Sequence, residues 1–358
     1  MVRRKIALAR LAQLRLSMTV AILLVSIIFG AFLVSLMLLV QLPLTISLVF
    51  TLVAVVLFIL LQYLIGPAIV RRSTRLRYLT PEEAAQLQWA SDAKEMAEKT
   101  GIPTPKLAVV PDQTPNAFVF GRTTQGATLA LHEGLLKQLN RNEIRGVIGH
   151  ELGHIKHKDF VVMTVLSALP LIAYLIAQLS FRVALATDGG KKKGGEVALR
   201  ALLLVAAAIS FVVYIITLLC VMRLSRLREH FADAYSAYLT GAPRQLESAL
   251  TKITYGLSLS PKPPHGARTL YIGDPALSKQ ECQGLLQRKE DYDLDRDGVL
   301  DERELQMAME REAKSRWTTV NTWFATHPAT YQRILVLRQI GKEIESGRYA
   351  SDRIYAQV

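Results

Sequence analysis

From residue 17 to residue 70 the chain carries no charged side chain. About 20 apolar residues suffice to cross the hydrocarbon of a bilayer, so this stretch is too long for one crossing. It predicts two helices joined by a tight turn near Gln41, Leu42 and Pro43. A cleavable secretory signal would have a shorter apolar core and a small-residue cleavage site before a polar chain, so the segment reads as a retained anchor. Two further apolar runs, 160–181 and 201–222, lie between charges, and each is long enough to cross. Four spans are expected, and the competing reading makes the second two buried core helices of a soluble domain. Lipid-facing surface also fits a composition that is 51% hydrophobic but only 7% aromatic.

The formal charge is +13, and the basic residues gather beside the apolar runs with no nucleic-acid motif among them. Lipid headgroups are therefore the expected partner, and nucleic acid is not. Arg3, Arg4, Lys5, Arg10 and Arg15 precede the first hairpin, and Arg71, Arg72, Arg75 and Arg77 follow it, which places both flanks in the cytoplasm. The loop between the second pair opposes this rule, with Arg182, Lys191, Lys192, Lys193 and Arg200 against Asp188 and Glu196. A full crossing and a re-entrant pair both stay open there. Two cysteines, Cys220 and Cys282, give no disulfide framework.

Between the hairpins the pattern turns globular. Thr80, Pro81 and Glu83 read as N-cap, N1 proline and capping-box glutamate of a helix running to Gly101. Short apolar runs at 106–110, 117–120 and 127–131, bounded by Pro and Gly, read as strands of a small sheet. Asn140 and Glu143 form a second capping box, after which Ile144, Ile148, Leu152 and Ile155 recur on one helical face. The expected organisation is a basic segment 1–15, a transmembrane hairpin 16–70, a first catalytic part 71–159, a second hairpin 160–222, and a second catalytic part 223–358. Residues 189–195, rich in Gly and Lys, read as a flexible loop. The fold class is a mainly α integral membrane protein of α+β type, with four transmembrane helices and a small β-sheet.

On the second capped helix, HELGH at 150–154 puts His150 and His154 one turn apart, so both imidazoles project from one face and can share a tetrahedral zinc. Glu151 then sits where it can take a proton from the attacking water and pass it to the leaving amine. The third ligand lies elsewhere in the sequence: a metzincin-like site would want Gly at position 157 and His at 160, where this chain has His157 and Phe160. Glu229 fits best, since Asp233 four residues on can orient a ligating imidazole. Glu196 lies in a Gly-Lys loop and Glu247 has no such partner. The plain alternative for Glu229 and Asp233 is a solvated acidic patch beside Arg226 and Arg228. His154 lies six residues before the third run and Glu229 seven after the fourth, about 10 Å of helix from lipid in each case. A gluzincin-type zinc protease domain follows.

The segments VIGHELGHIKHKD, SRLREHFADAYSA, PNAFVFG and THPATYQRI resemble the HtpX family of membrane proteases, relatives of the CAAX prenyl endopeptidases. The likeness runs through nearly the whole chain. It implies Glu229 as third ligand with Asp233 behind it, and Asn116, Ala117, Phe118, Val119 and Phe120 as an edge strand receiving extended polypeptide substrate. It also implies that His327 serves the transition state, and that the protein sits in a bacterial inner membrane with its catalytic domain in the cytoplasm. An organelle membrane is the alternative. His132, His157, His230 and His265 are left as structural or surface residues.

One segment departs from that family. In DLDRDGVLDERE, Asp293, Asp295, Asp297, Val299, Asp301 and Glu304 fill positions 1, 3, 5, 7, 9 and 12 of a calcium loop, with Gly298 at the sharp turn. Helices are expected over 278–291 and 302–316. The cofactors are thus zinc and, from this loop, calcium. The leading reading is an endopeptidase for misfolded or membrane-associated proteins. Its competitors are a CAAX-type processing peptidase and a non-catalytic calcium-binding membrane scaffold. Retention of Glu151 argues against the scaffold, because a structural zinc needs no base. The oligomeric state is not legible.

Overall fold

The computed structural model describes residues 2–39, 43–186, 194–258, 272–273, 275–292, 294, 307–308, 311, 325–347 and 355. The chain divides into two compact units. One comprises residues 15–66 and 161–224, and the other residues 1–14, 67–160 and 225–358.

The first unit is built from parts of four long apolar helices: α1 (Val2–Leu39), α2 (Leu44–Thr74), α7 (Asp159–Ala186) and α8 (Gly194–Thr240), whose remaining residues belong to the second unit. Among the described residues these four are long and apolar enough to cross a membrane. Large side chains such as Ile27, Leu52 and Leu179 stand about two-thirds exposed, as expected where the solvent is lipid. Within the unit, Gln62 Nε2 donates to Ser167 Oγ at 3.3 Å. α1 ends at Leu39 and α2 begins at Leu44, directly after Pro43. Gly194 and Gly195, expected in a flexible loop, form the first turn of α8 instead. The lysines before them lie outside the described residues.

The second unit holds a four-stranded sheet of β1 (Arg77–Tyr78), β2 (Lys106–Val110), β3 (Ala117–Phe120) and β4 (Thr128–His132), in the order β1-β2-β4-β3. β2 runs parallel to β4, whereas β1 and β3 pair antiparallel. β3 therefore lies at an edge. Leu76, Ala108, Val110, Phe118, Phe120 and Ala130 close one apolar cluster around this sheet. The expected single helix after Thr80 is two, α3 (Pro81–Gln86) and α4 (Gln88–Thr100), broken at Leu87 in an extended conformation. α3 buries none of its residues, while α4 buries Trp89, Ala93 and Met96. The break frees α4 to turn that face inward. The third strand begins one residue later than expected, at Thr128, and β1 carried no sequence signal.

α5 (Glu133–Gln138) leads into α6 (Arg141–His157), whose Asn140–Glu143 capping box is formed in both directions. One face of α6 is glycine. A Cβ at Gly149 would come 2.9 Å from Ser236 Oγ, and one at Gly153 would come 3.0 Å from Ala232 Cα. Two α8 residues thus touch the α6 backbone, and Ser236 Oγ bonds the Gly146 carbonyl at 2.6 Å. α9 (Pro243–Ser258), α10 (Pro275–Gln287), α11 (Lys289–Tyr292) and α12 (Thr330–Glu345) complete the described elements. α10 and α11 occupy the helical region expected before the calcium loop. Asp293, Asp295, Asp297, Val299, Asp301 and Glu304 lie outside the described residues, as do His265 and most of 302–316.

Candidate metal centre

The glycine face sets α6 against α8, and this contact brings together residues far apart in sequence. His150 and His154 on α6 meet Glu229 on α8, with ligand atoms all within 4.8 Å of one another and all three residues buried. The two Nε2 atoms are 3.1 Å apart. Glu229 Oε2 is 3.4 Å from His150 Nε2, and Oε1 is 3.5 Å from His154 Nε2. Glu151 is buried beside them.

Each imidazole has its other nitrogen occupied. His150 Nδ1 lies 2.8 Å from Asp233 Oδ1, and His154 Nδ1 lies 2.7 Å from Asp159 Oδ2. A carboxylate at Nδ1 favours the proton there, which leaves each Nε2, 3.1 Å from the other, available to a cation. Glu229 Oε2 is buried and accepts no hydrogen bond. Two imidazole nitrogens and a carboxylate oxygen, all buried and converging, are the donor chemistry that suits a divalent cation. Zinc with bonds of about 2.0–2.1 Å in tetrahedral array separates its ligands by roughly 3.4 Å, so the donor set fits.

The charges agree. Burial alone would lower the His150 pKa, but the carboxylates of Asp233 and Glu229 beside it push it up to about 9. The two carboxylates thus favour a positive charge at this imidazole, whether from a proton or from a bound cation. Burial pushes the Glu151 carboxyl above its ordinary value, partly offset by His150 and His154, which is the direction that suits a general base.

Three residues here carried no functional reading in the sequence. Arg333 on α12 is fully buried, and it donates to both Asp233 oxygens at 2.8 and 2.7 Å and to the Ile272 carbonyl. Its Nη1 is also 3.6 Å from Glu229 Oε2. Asp159, behind His154, pairs with Arg228 at 3.1 Å. Lys158, between α6 and Asp159, takes the left-handed conformation at φ 61°, which costs a side-chain-bearing residue about 1 kcal/mol. His327 lies at the site, with Nε2 3.7 Å from Glu229 Oε1 and Nδ1 2.8 Å from Thr326 Oγ1. Arg226 helps hold that segment by donating to the Ala325 carbonyl at 3.0 Å. Asn116 Oδ1 accepts from the Ile272 amide at 3.0 Å. Ala117, Phe118, Val119 and Phe120 form the buried edge strand β3, which packs on α6.

The remaining described histidines are not among the grouped ligands. His132 is buried with Nδ1 2.9 Å from the Thr114 carbonyl, and His230 is half-buried. His157 meets Tyr355 Oη at 2.7 Å within a cage of Phe231, Tyr235 and Tyr355 rings. Burial lowers its pKa from 6.5 to about 4. The unfolded chain therefore takes up this proton first. Stability from the site is full above pH 6.5 and falls as pH drops toward 4, by up to about 3 kcal/mol. His157→Gln should flatten that part of the unfolding-midpoint profile in detergent, and an unchanged slope between pH 6.5 and 4 would reject the assignment.

A family model described as Peptidase family M48 matches residues 82–341, well over half of the chain. A protease HtpX homolog of Methanothermobacter thermautotrophicus is 37% identical over 228 residues, covering 64% of this chain and 78% of that protein. A protease HtpX homolog of Aeropyrum pernix is 37% identical over 199 residues, covering 54% of this chain and 59% of that protein. The chain thus spans little more than half the length of the latter. The crystal structure of S. mikatae Ste24p is 17% identical with a TM-score of 0.45, covering 89% of this chain and 63% of that one, which is too remote to add to these. A metal-competent cluster, four helices of membrane-crossing length and a family match across both halves of the site lead to one conclusion: the chain belongs to peptidase family M48 and is a membrane metalloprotease.

Proposed function

We propose that this protein is a zinc endopeptidase cleaving misfolded or membrane-associated polypeptides, with His150, His154 and Glu229 as ligands and Glu151 as general base. The observation that carries the reading is the buried convergence of His150, His154 and Glu229, whose ligand atoms all lie within 4.8 Å of one another. A bound zinc supplies the Lewis acid that makes water acidic and polarises the scissile carbonyl. Glu151 accepts the proton from the attacking water and delivers it to the departing amine. Asp233 holds the His150 imidazole through Nδ1. His327, with Nε2 beside the cluster, donates to the oxygen that becomes negative in the transition state. The edge strand β3 offers main-chain hydrogen bonds to extended substrate whatever its sequence, which suits quality control better than a single-sequence processing reaction.

The test is metal analysis and casein cleavage by the detergent-solubilised protein. Stoichiometric zinc is expected, with activity lost on chelation and restored by zinc, and Glu229→Ala should lose most of the metal. Cleavage that survives complete metal removal, or full metal in Glu229→Ala, would refute the assignment.

The basic flanks favour residues around Arg77 and Val358 lying in the cytoplasm, and the family resemblance suggests a bacterial inner membrane. A reporter at either place signalling from the opposite side overturns that orientation. The acidic loop from Asp293 to Glu304 supplies five carboxylates in calcium-loop order. Calcium neutralises their mutual repulsion. Titration calorimetry of the whole protein should show calcium binding that Glu304→Gln weakens, and heat in neither would dismiss the site.

A further inference from the structure

Asp159 is fully buried at the start of α7, five residues after His154, and the chemistry above gives it no part. Its Oδ2 meets His154 Nδ1 at 2.7 Å, and its Oδ1 meets the Nε of buried Arg228 at 3.1 Å. A comparable arrangement stands behind the other histidine, where Asp233 touches His150 Nδ1 and accepts two hydrogen bonds from Arg333, whereas Arg228 meets Asp159 as an ion pair alone. Two histidines, each backed by a buried carboxylate and a buried guanidinium, form a pattern that a chance ion pair does not explain. Left-handed Lys158 folds the chain sharply enough for Asp159 to return to His154, and Arg228 immediately precedes Glu229 on α8.

We propose that Asp159, fixed by Arg228, is the positioning residue of His154. It keeps the proton on Nδ1, turns the bare Nε2 toward Glu229, and makes that nitrogen a stronger donor. The competing reading is an ion pair that only pins the α6–α7 corner to α8. That reading is weak on energetics, because a buried pair seldom outperforms apolar packing of the same volume. It also leaves the short contact to His154 without a purpose.

This inference rests on the zinc reading. Zinc affinity is measured by competition with a chromophoric chelator, below the unfolding temperature, in wild type and Asp159→Asn. The asparagine keeps the shape but not the charge, so the zinc Kd should rise about 10 to 100-fold. The visible bands of the cobalt(II)-loaded protein should shift as His154 loses its orientation. Should the buried Arg228 left behind prevent folding, the double variant Asp159→Leu with Arg228→Met removes both charges and should show the same loss. An unchanged zinc Kd and cobalt spectrum in either folded variant would overturn the proposal, even if the metal-free protein unfolds earlier. A wild type that binds no zinc would instead retire the zinc reading itself.

Discussion

Glu151→Gln should abolish casein cleavage while leaving the zinc content of the purified protein unchanged. The substitution preserves shape and removes no member of the converging donor set, which is His150, His154 and Glu229. What it removes is the carboxylate assigned to take a proton from water and give it back. General-base assistance is worth about 10²–10⁴-fold, so residual turnover should sit at or near background. Burial, the main cause of the raised Glu151 pKa, means that no bulk water stands ready to replace it. Equal cleavage by wild type and variant would end the assignment of Glu151. Loss of zinc together with activity would show that Glu151 supports the metal and not the proton.

The second large effect is expected at Arg333, on stability. Arg333→Met takes a guanidinium from between Asp233 and Glu229 and deprives the Ile272 carbonyl of its donor. Asp233 is then a buried carboxylate with only His150 beside it. Removing one partner of a buried pair costs about 3–5 kcal/mol, because the remaining charge is uncompensated. The unfolding midpoint should fall far more than in Arg244→Ala, whose partner Glu345 is 3.4 Å away with both side chains mostly in solvent. Exposed pairs contribute little. Comparable midpoints in the two variants would mean that Arg333 does not hold the site together.

Much of the centre was legible before any coordinates because its signals are local. HELGH is one helical turn, and Glu229 with Asp233 is another, so helical spacing alone puts each pair on a face. The capping boxes at Thr80 and Asn140 were equally local. Arg333 was not legible, because it reaches Asp233 across 100 positions and its own neighbourhood looks like an ordinary amphipathic helix. Asp159 was hidden differently. It stands at the start of an apolar run, where a charge reads as the boundary of a span and not as a partner for His154. The break at Leu87 followed from the burial demands of α4, and β1, two residues long, was too short to show alternation. The family resemblance supplied the reading of His327, which a lone histidine before proline does not carry by itself.

The glycine face of α6 has a consequence for how such a site drifts over evolution. Where two helices meet through interlocking side chains, each accepted substitution changes their separation slightly, and a site spanning them must be retuned. Here Gly149 and Gly153 bring the α6 main chain directly onto Ser236 and Ala232. The distance from His150 to Glu229 is then inherited from backbone contact. Residues around the pocket are free to diverge, altering which polypeptides are accepted, without disturbing the spacing on which hydrolysis depends.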